Sequence, residues 1–287
     1  MKGTCGIRRL RSAAQRPGVG VRFRFVAYIP LFIASLLPQC AHGGTSSFPR
    51  VLVEGEELTY NVRYGFIDLG QVRIRVTSKI ITPTFIAYKS KAYIDSYPKL
   101  PFVDLHATFE SLIDSSVYSR AFTGKTKDGE DWTYARYTFE YDQQRIITEV
   151  GYRDTLIEKR DTLSTSSSFQ DGLSLFFFAR DQLTSGNKMN IPTIIKEQKV
   201  STYINFGQYR TSVEIDAVDY PVGVVQFEGK ANFIGLFGLT GDFEGWFSDD
   251  DARVPILAKM KVILGSVTIE LMGWKRPGWV PPRGAGQ

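Results

Sequence analysis

The sequence predicts an all-β fold, mostly antiparallel, with a single amphipathic helix near residues 169–183. Three observations carry this expectation: hydrophobic residues recur with period two, short turn signals separate the alternating runs, and only one segment switches to the helical period. Leu58, Tyr60, Val62 and Tyr64 alternate with polar residues, and Val72, Ile74 and Val76 resume the pattern after a break at 65–70. Such alternation turns one row of side chains toward a core and the other toward water, as antiparallel strands do. Further strands are expected at 84–94, 105–113, 117–123, 132–141, 145–150, 199–206, 210–218, 223–228, 253–264 and 266–274. Lys127-Asp128-Gly129, Tyr141-Asp142, Gly207, Tyr220-Pro221 and Gly265 supply the turns between them.

The helical exception is Phe169–Leu183, preceded by the polar run Ser164–Ser168. Leu173, Phe176, Phe177 and Arg180 fall at i, i+3, i+4 and i+7, and Ser168 with Asp171 has the spacing of a capping box. This helix divides two β-rich halves of one domain spanning 44–275. Residues 276–287, rich in Pro and Gly, are expected to form a flexible tail.

Charge and cysteine placement narrow the function. The chain has 35 basic and 30 acidic residues. Met1–Gly43 hold seven basic residues and no acid, leaving 28 basic against 30 acidic residues beyond. The basic signature belongs to this leader, so a nucleic-acid partner loses its main support. Cys5, Cys40 and His42 also lie there, and the body retains only His106 among Cys and His. Disulfides, Cys/His metal centres, iron–sulfur clusters and thiol catalysis are thereby excluded from the body, and no cofactor or metal is expected.

The leader reads as a signal peptide, residues 1–43, with a basic stretch to Arg24 and the apolar run Phe25–Leu37. Ala41-His42-Gly43 places small residues at −3 and −1, for cleavage after Gly43. Leu37-Pro38-Gln39-Cys40 is the alternative, a lipoprotein box ending in an acylated Cys40, although Gln39 is bulky for it. Export to the periplasm or the outer-membrane surface follows. No later apolar run approaches the roughly 18 residues of a membrane-spanning helix.

Motif chemistry is sparse. His106 sits in an alternating strand, where a structural role outweighs a Ser–His–Asp triad. Gly124-Lys125-Thr126 ends like a phosphate loop, but Ser119 stands where its first Gly belongs. Asp249-Asp250-Asp251, followed by Arg253, reads first as a tight turn in which Asp side chains accept backbone N–H bonds and Arg253 balances the charge. Its rival is a calcium site, although the spaced ligand pattern is missing. A glycan hydrolase using Asp249 and Asp250 is the third reading, weakened by their adjacency. The stretch Phe233–Phe243, with Phe233, Ile234, Leu236 and Phe237 interleaved by glycines, is either a bulged core strand or an exposed apolar loop against a lipid or membrane surface.

Three segments resemble the exported bacterial domain-of-unknown-function 3108 (DUF3108) family. They are Gly55-Glu56-Glu57-Leu58-Thr59-Tyr60-Asn61-Val62-Arg63-Tyr64, the central Asp171-Gly172-Leu173-Ser174 with Phe176, and Trp246-Phe247-Ser248-Asp249-Asp250 with Arg253, Val254 and Pro255. Asp251 is an extra acid in the last of these. The resemblance implies an open, rolled or spiral antiparallel sheet, a half-open barrel, and carries no catalytic residues with it. The function expected is non-catalytic: an apolar concave face, lined by Phe176, Phe177 and the 233–237 residues, holds an amphipathic ligand or docks an envelope protein. The expected partners are a lipid or an envelope protein, with peripheral membrane contact and no nucleic acid.

Overall fold

The computed structural model describes residues 50–284, apart from 84, 99, 101–103, 154–155, 234–240, 262–264 and the side chain of Asp128. The leader, with Gly43 and Cys40, lies outside the described residues. Eight strands come first: β1 (Glu57–Tyr64), β2 (Ile67–Ile81), β3 (Ile86–Ser96), β4 (His106–Asp114), β5 (Ser119–Asp128), β6 (Asp131–Glu140), β7 (Arg145–Tyr152) and β8 (Leu156–Ser164). Helix α1 (Ser174–Gln182) follows, and then β9 (Lys188–Ile195), β10 (Gln198–Val213), β11 (Val222–Ala231), β12 (Gly241–Ser248), β13 (Pro255–Lys261) and β14 (Ser266–Lys275).

All fourteen strands belong to one antiparallel sheet, ordered β8 to β1, then β14 back to β9. Each half is a simple meander, and the chain returns so that β14 pairs with β1, Leu58 opposite Trp274 and Val62 opposite Ile269. The two arms are therefore joined at the middle of the sheet, with β8 and β9 at its free edges and no closure into a barrel.

Alternation explains the curl. In β1 the burial alternates residue by residue, and β3 does the same from Tyr88 onward. The inward row of both arms packs on α1: Leu58, Ile74 and Tyr88 from one arm and Ile204, Val224 and Leu271 from the other join Phe177 and Phe178 in a single core. The helix thus fills one end of the roll.

Two buried carboxylates hold it there. Asp171 starts the helix: its Oδ1 accepts the N–H groups of Leu173 (2.7 Å) and Ser174 (2.9 Å), and Ser174 Oγ accepts the Asp171 N–H in return. The reciprocal pair is Asp171 with Ser174, three residues further on than the expected Ser168–Asp171 box, and it starts the helix at Ser174 instead of 169. Ser111 and Ser119 donate their hydroxyls to the same carboxylate at 2.8 and 2.5 Å, fastening α1 to β4 and β5. At the far end, Arg180 is wholly buried and donates in bidentate fashion to Glu56 at 2.6 and 3.0 Å. Arg180 also donates to the carbonyls of Ala252 and Arg253, and Arg276 adds a second guanidinium to Glu56.

Of the segment expected as a flexible tail, residues 281–284 are fastened to the strand region around 220–223, and 285–287 lie outside the described residues. Gly223 N–H donates to Pro282 and Gly284 N–H to Pro221, while Tyr220 donates its hydroxyl to the Pro281 carbonyl. No helix among the described residues is long and apolar enough to cross a membrane.

Burial alone would raise the Glu56 pKa, but Arg180 and then Arg276 outweigh it and hold the carboxyl below its ordinary 4.5. A carboxylate with a depressed folded pKa stabilises above the unfolded value and loses that contribution as pH falls through the folded one. Glu56→Gln, which leaves Arg180 buried without a counter-charge, is expected to cost about 3–5 kcal/mol at neutral pH. It should also flatten the acid limb of the stability–pH curve below about 4.5. Chemical denaturation of both proteins across pH checks both effects.

Candidate functional site

Beyond the Gly172–Leu175 start of the helix the arms enclose a cavity of about 600 Å³. Phe109, Phe122, Tyr134, Ala135 and Val150 of β4–β7 form one wall. Ile194, Ala231, Phe233, Phe243 and Met260 form the facing wall, and Leu175 of α1 with Gly172 forms the floor. Two glycines shape the first wall. A Cβ on Gly124 would stand 3.0 Å from the Phe122 ring, and one on Gly151 would stand 2.6 Å from the Tyr134 ring. Their bare backbones let these aromatic faces lie against the sheet. Phe122 stacks on Tyr137 at 5.0 Å and tilts against Phe109 at 5.5 Å, giving a continuous aromatic surface.

Polar groups on the lining are few. Tyr137, nearly buried, donates its hydroxyl to Glu197 Oε1 at 2.9 Å. Burial, then the Glu197 charge, pushes the Tyr137 phenol well above its ordinary range, so it stays a donor. Thr126, Thr133, Thr202, Glu158 and Lys196 complete the polar lining. A hollow of about 730 Å³ on another part of the sheet, at Lys91, Glu110, Asp131 and Arg153, is charged, and its charges pair with one another.

The sequence-predicted ligand residues separate. Phe233 lines the cavity. Ile234, Leu236 and Phe237 lie outside the described residues. Phe177 is wholly buried in the core, and Phe176 packs edge-on against Tyr60 at 6.3 Å, so neither faces the cavity. Leu175 takes the place expected of them, because Phe177 to Arg180 are the residues the helix buries in the core. The walls from β4–β7 and β9–β13 had no distinct sequence signal: their residues occupy the same inward rows as ordinary core.

The acidic run is a turn. Asp250 Oδ1 accepts Ser248 Oγ and the N–H groups of Ala252 and Arg253 at 2.8–3.1 Å, and its Oδ2 accepts Trp279 Nε1 at 2.7 Å. Asp249 pairs with Arg210, and Asp251 with Arg50. The three carboxylates diverge to separate partners, and no group of three or more Asp, Glu, His or Cys with metal-holding placement occurs among the described residues. Arg253 differs from the expected counter-charge: at φ +47°, its guanidinium donates to the Arg180 and Asp181 carbonyls at the end of α1. The same commitments leave Asp249 and Asp250 poorly placed for glycan hydrolysis. His106 faces Asp95 and Asp104, at 2.8 and 3.2 Å from its two ring nitrogens, which leaves neither for a serine nucleophile.

The family sequence model described as "Protein of unknown function (DUF3108)" matches residues 59–272, three quarters of the chain. The chain belongs to the DUF3108 family. A crystal structure of a β-barrel-like protein of domain of unknown function DUF1849 from Brucella abortus is similar in fold, with a TM-score of 0.51 at 10% identity. The match covers 78% of this chain and 98% of that one. No curated protein matches the DUF3108 chain.

The turn reading sets a test. Asp250→Ala removes an acceptor for four donors and is expected to cost about 2–3 kcal/mol, whereas Asp249→Ala, which breaks a solvent-exposed pair, should cost under about 1 kcal/mol. Millimolar calcium should leave the melting temperature of the unaltered protein where it is. A calcium-dependent rise lost in Asp250→Ala would instead place a cation at this turn.

Proposed function

We propose that this protein is an exported, non-catalytic component of the cell envelope that holds an amphipathic or lipid-like ligand in the cavity between its sheet arms. The cavity carries this reading. Ligand pockets are concave, mostly apolar, roughly 300–1,000 Å³ in volume, with a few placed polar groups. The hollow at the open end of the roll has that volume, walls of aromatic rings and aliphatic chains, and a small set of polar groups. An apolar chain entering it gains about 25 cal/mol for each Å² removed from water. Placement in the envelope, in the periplasm or at the outer membrane, rests on the leader: a basic stretch, a short apolar run and a small-residue cleavage pattern.

A fluorescent single-chain fatty alcohol is expected to bind the purified, delipidated protein at one site per chain. Phe233→Asp and Met260→Asp place a charge in the cavity wall and remove apolar contact worth about 1.5–3 kcal/mol. Each should weaken binding by about 10- to 100-fold, with the melting temperature changing by only a few degrees. Titration and thermal melts on the three proteins decide it. Absent binding by the unaltered protein, combined with a stable partner in crosslinking, would favour a structural assembly role in its place.

A further inference from the structure

Among the described residues, hydrogen bonds bridge the gap between the arms' free edges at two places. Near α1 the contact is backbone: Gln170 N–H donates to the Pro192 carbonyl and Ile194 N–H to the Gln170 carbonyl, tying β9 to the segment before the helix. Lys199 adds its ammonium to the Ser164 carbonyl beside it. At the cavity Tyr137 of β6 donates to the Glu197 carboxylate of the β9–β10 turn at 2.9 Å, and the Glu197 N–H donates to the Tyr137 hydroxyl at 3.4 Å. The first contact is ladder-like and does not depend on side chains. The second can open without breaking any strand pairing.

The turn that carries Glu197 is itself unusual. Ile195 pairs with Gln198, so Lys196 and Glu197 make a two-residue hairpin turn, and both have positive φ, +48° and +61°. Turns with positive φ at both central positions favour Asn-Gly, Asp-Gly or Gly-Gly, because a side chain there is strained. Strain of this kind persists where surrounding structure demands the residue. At Glu197 the demand is visible: its carboxylate reaches the other arm, and no glycine could do that.

We propose that Tyr137 and Glu197 form a clasp that sets the width of the cavity, so that it accepts a single-chain amphiphile and excludes a two-chain one. This rests on the ligand-binding reading above. The cavity walls come from opposite arms, so its width is the distance between them. At this place the clasp fixes that distance, while the Gln170 ladder acts as the hinge.

The test compares Glu197→Ala with Glu197→Gln. Alanine keeps the turn equally non-glycine and removes the carboxylate acceptor, leaving only the longer backbone N–H contact to the Tyr137 hydroxyl; glutamine keeps an oxygen that accepts from Tyr137. In ligand-free protein, amide exchange at residues 194–199 should quicken at least about tenfold in Glu197→Ala, the factor that ~1.4 kcal/mol represents, and stay near the unaltered rate in Glu197→Gln. With the same fluorophore on a fatty alcohol and on a phosphatidylglycerol, Glu197→Ala should release the alcohol about tenfold faster and gain binding of the two-chain lipid. Unchanged exchange, or quickened exchange with unaltered selection between the probes, overturns the proposal. If neither probe binds the unaltered protein yet alanine quickens exchange, the clasp stands and the ligand reading falls.

Discussion

The buried pair of Glu56 and Arg180 is the constraint on which the rest of the architecture depends. A guanidinium taken wholly out of water must be met by an opposite charge and by enough acceptors for its N–H groups. Glu56 supplies the charge, and the carbonyls of Ala252 and Arg253 supply the remaining acceptors. These groups belong to the residue before β1, to the middle of the chain and to the β12–β13 turn. Arg276, just past β14, joins the same carboxylate. Satisfying one buried cation therefore requires that the start, middle and end of the domain meet at one place. The pair by itself adds little net stability; what it adds is a single allowed arrangement of those segments around the helix.

The hollow end of the roll follows from that arrangement. With β1 and β14 paired at mid-sheet, both arms grow outward from the place where Glu56 and Arg276 hold α1, and their inward rows close over the helix. The helix is only nine residues long, about 13.5 Å at the usual rise, whereas β10 runs for sixteen residues. The helix cannot fill the length of the roll, and the arms beyond it face each other across open space. The rings there lie flat on glycine backbones and leave a lined cavity. The chemistry at the two ends is correspondingly different: paired charges and hydrogen-bonded serines around α1, apolar surface with sparse polar groups at the mouth.

Much of this was legible from the amino acids. Period-two alternation marked β1, β3 and β4 because each has one face buried and one wet. The 3.6-residue spacing of Leu173, Phe177 and Arg180 located the buried face of α1. Three strands left no such trace. β8 is an edge strand whose side chains are almost all exposed, so Leu-Ile-Glu-Lys-Arg-Asp shows no inward row; its charges suit an edge that must resist pairing with other chains. β9 carries Pro192, tolerable because β9 is also an edge. β12 begins at Gly241 and does not alternate, since its last four residues are all buried. Gly207 signals a turn within β10, yet the strand passes through it with an irregular register between Asn205 and Tyr209. The charge partners were hidden for another reason: Arg180 and Glu56 stand 124 residues apart, and no local pattern announces such a pairing. The cavity was hidden because an inward row reads alike whether another side chain or empty space stands opposite.

The central claim is that the hollow between the arms is occupied in the cell by an amphiphile. Native mass spectrometry of the protein, gently extracted from the organism that makes it, tests this most directly. The expected result is a population carrying one non-covalent adduct of single-chain lipid mass, released by mild activation and absent from Phe233→Asp prepared alongside. A bare chain in both preparations, at a mass showing no lost adduct under the gentlest conditions, would contradict it.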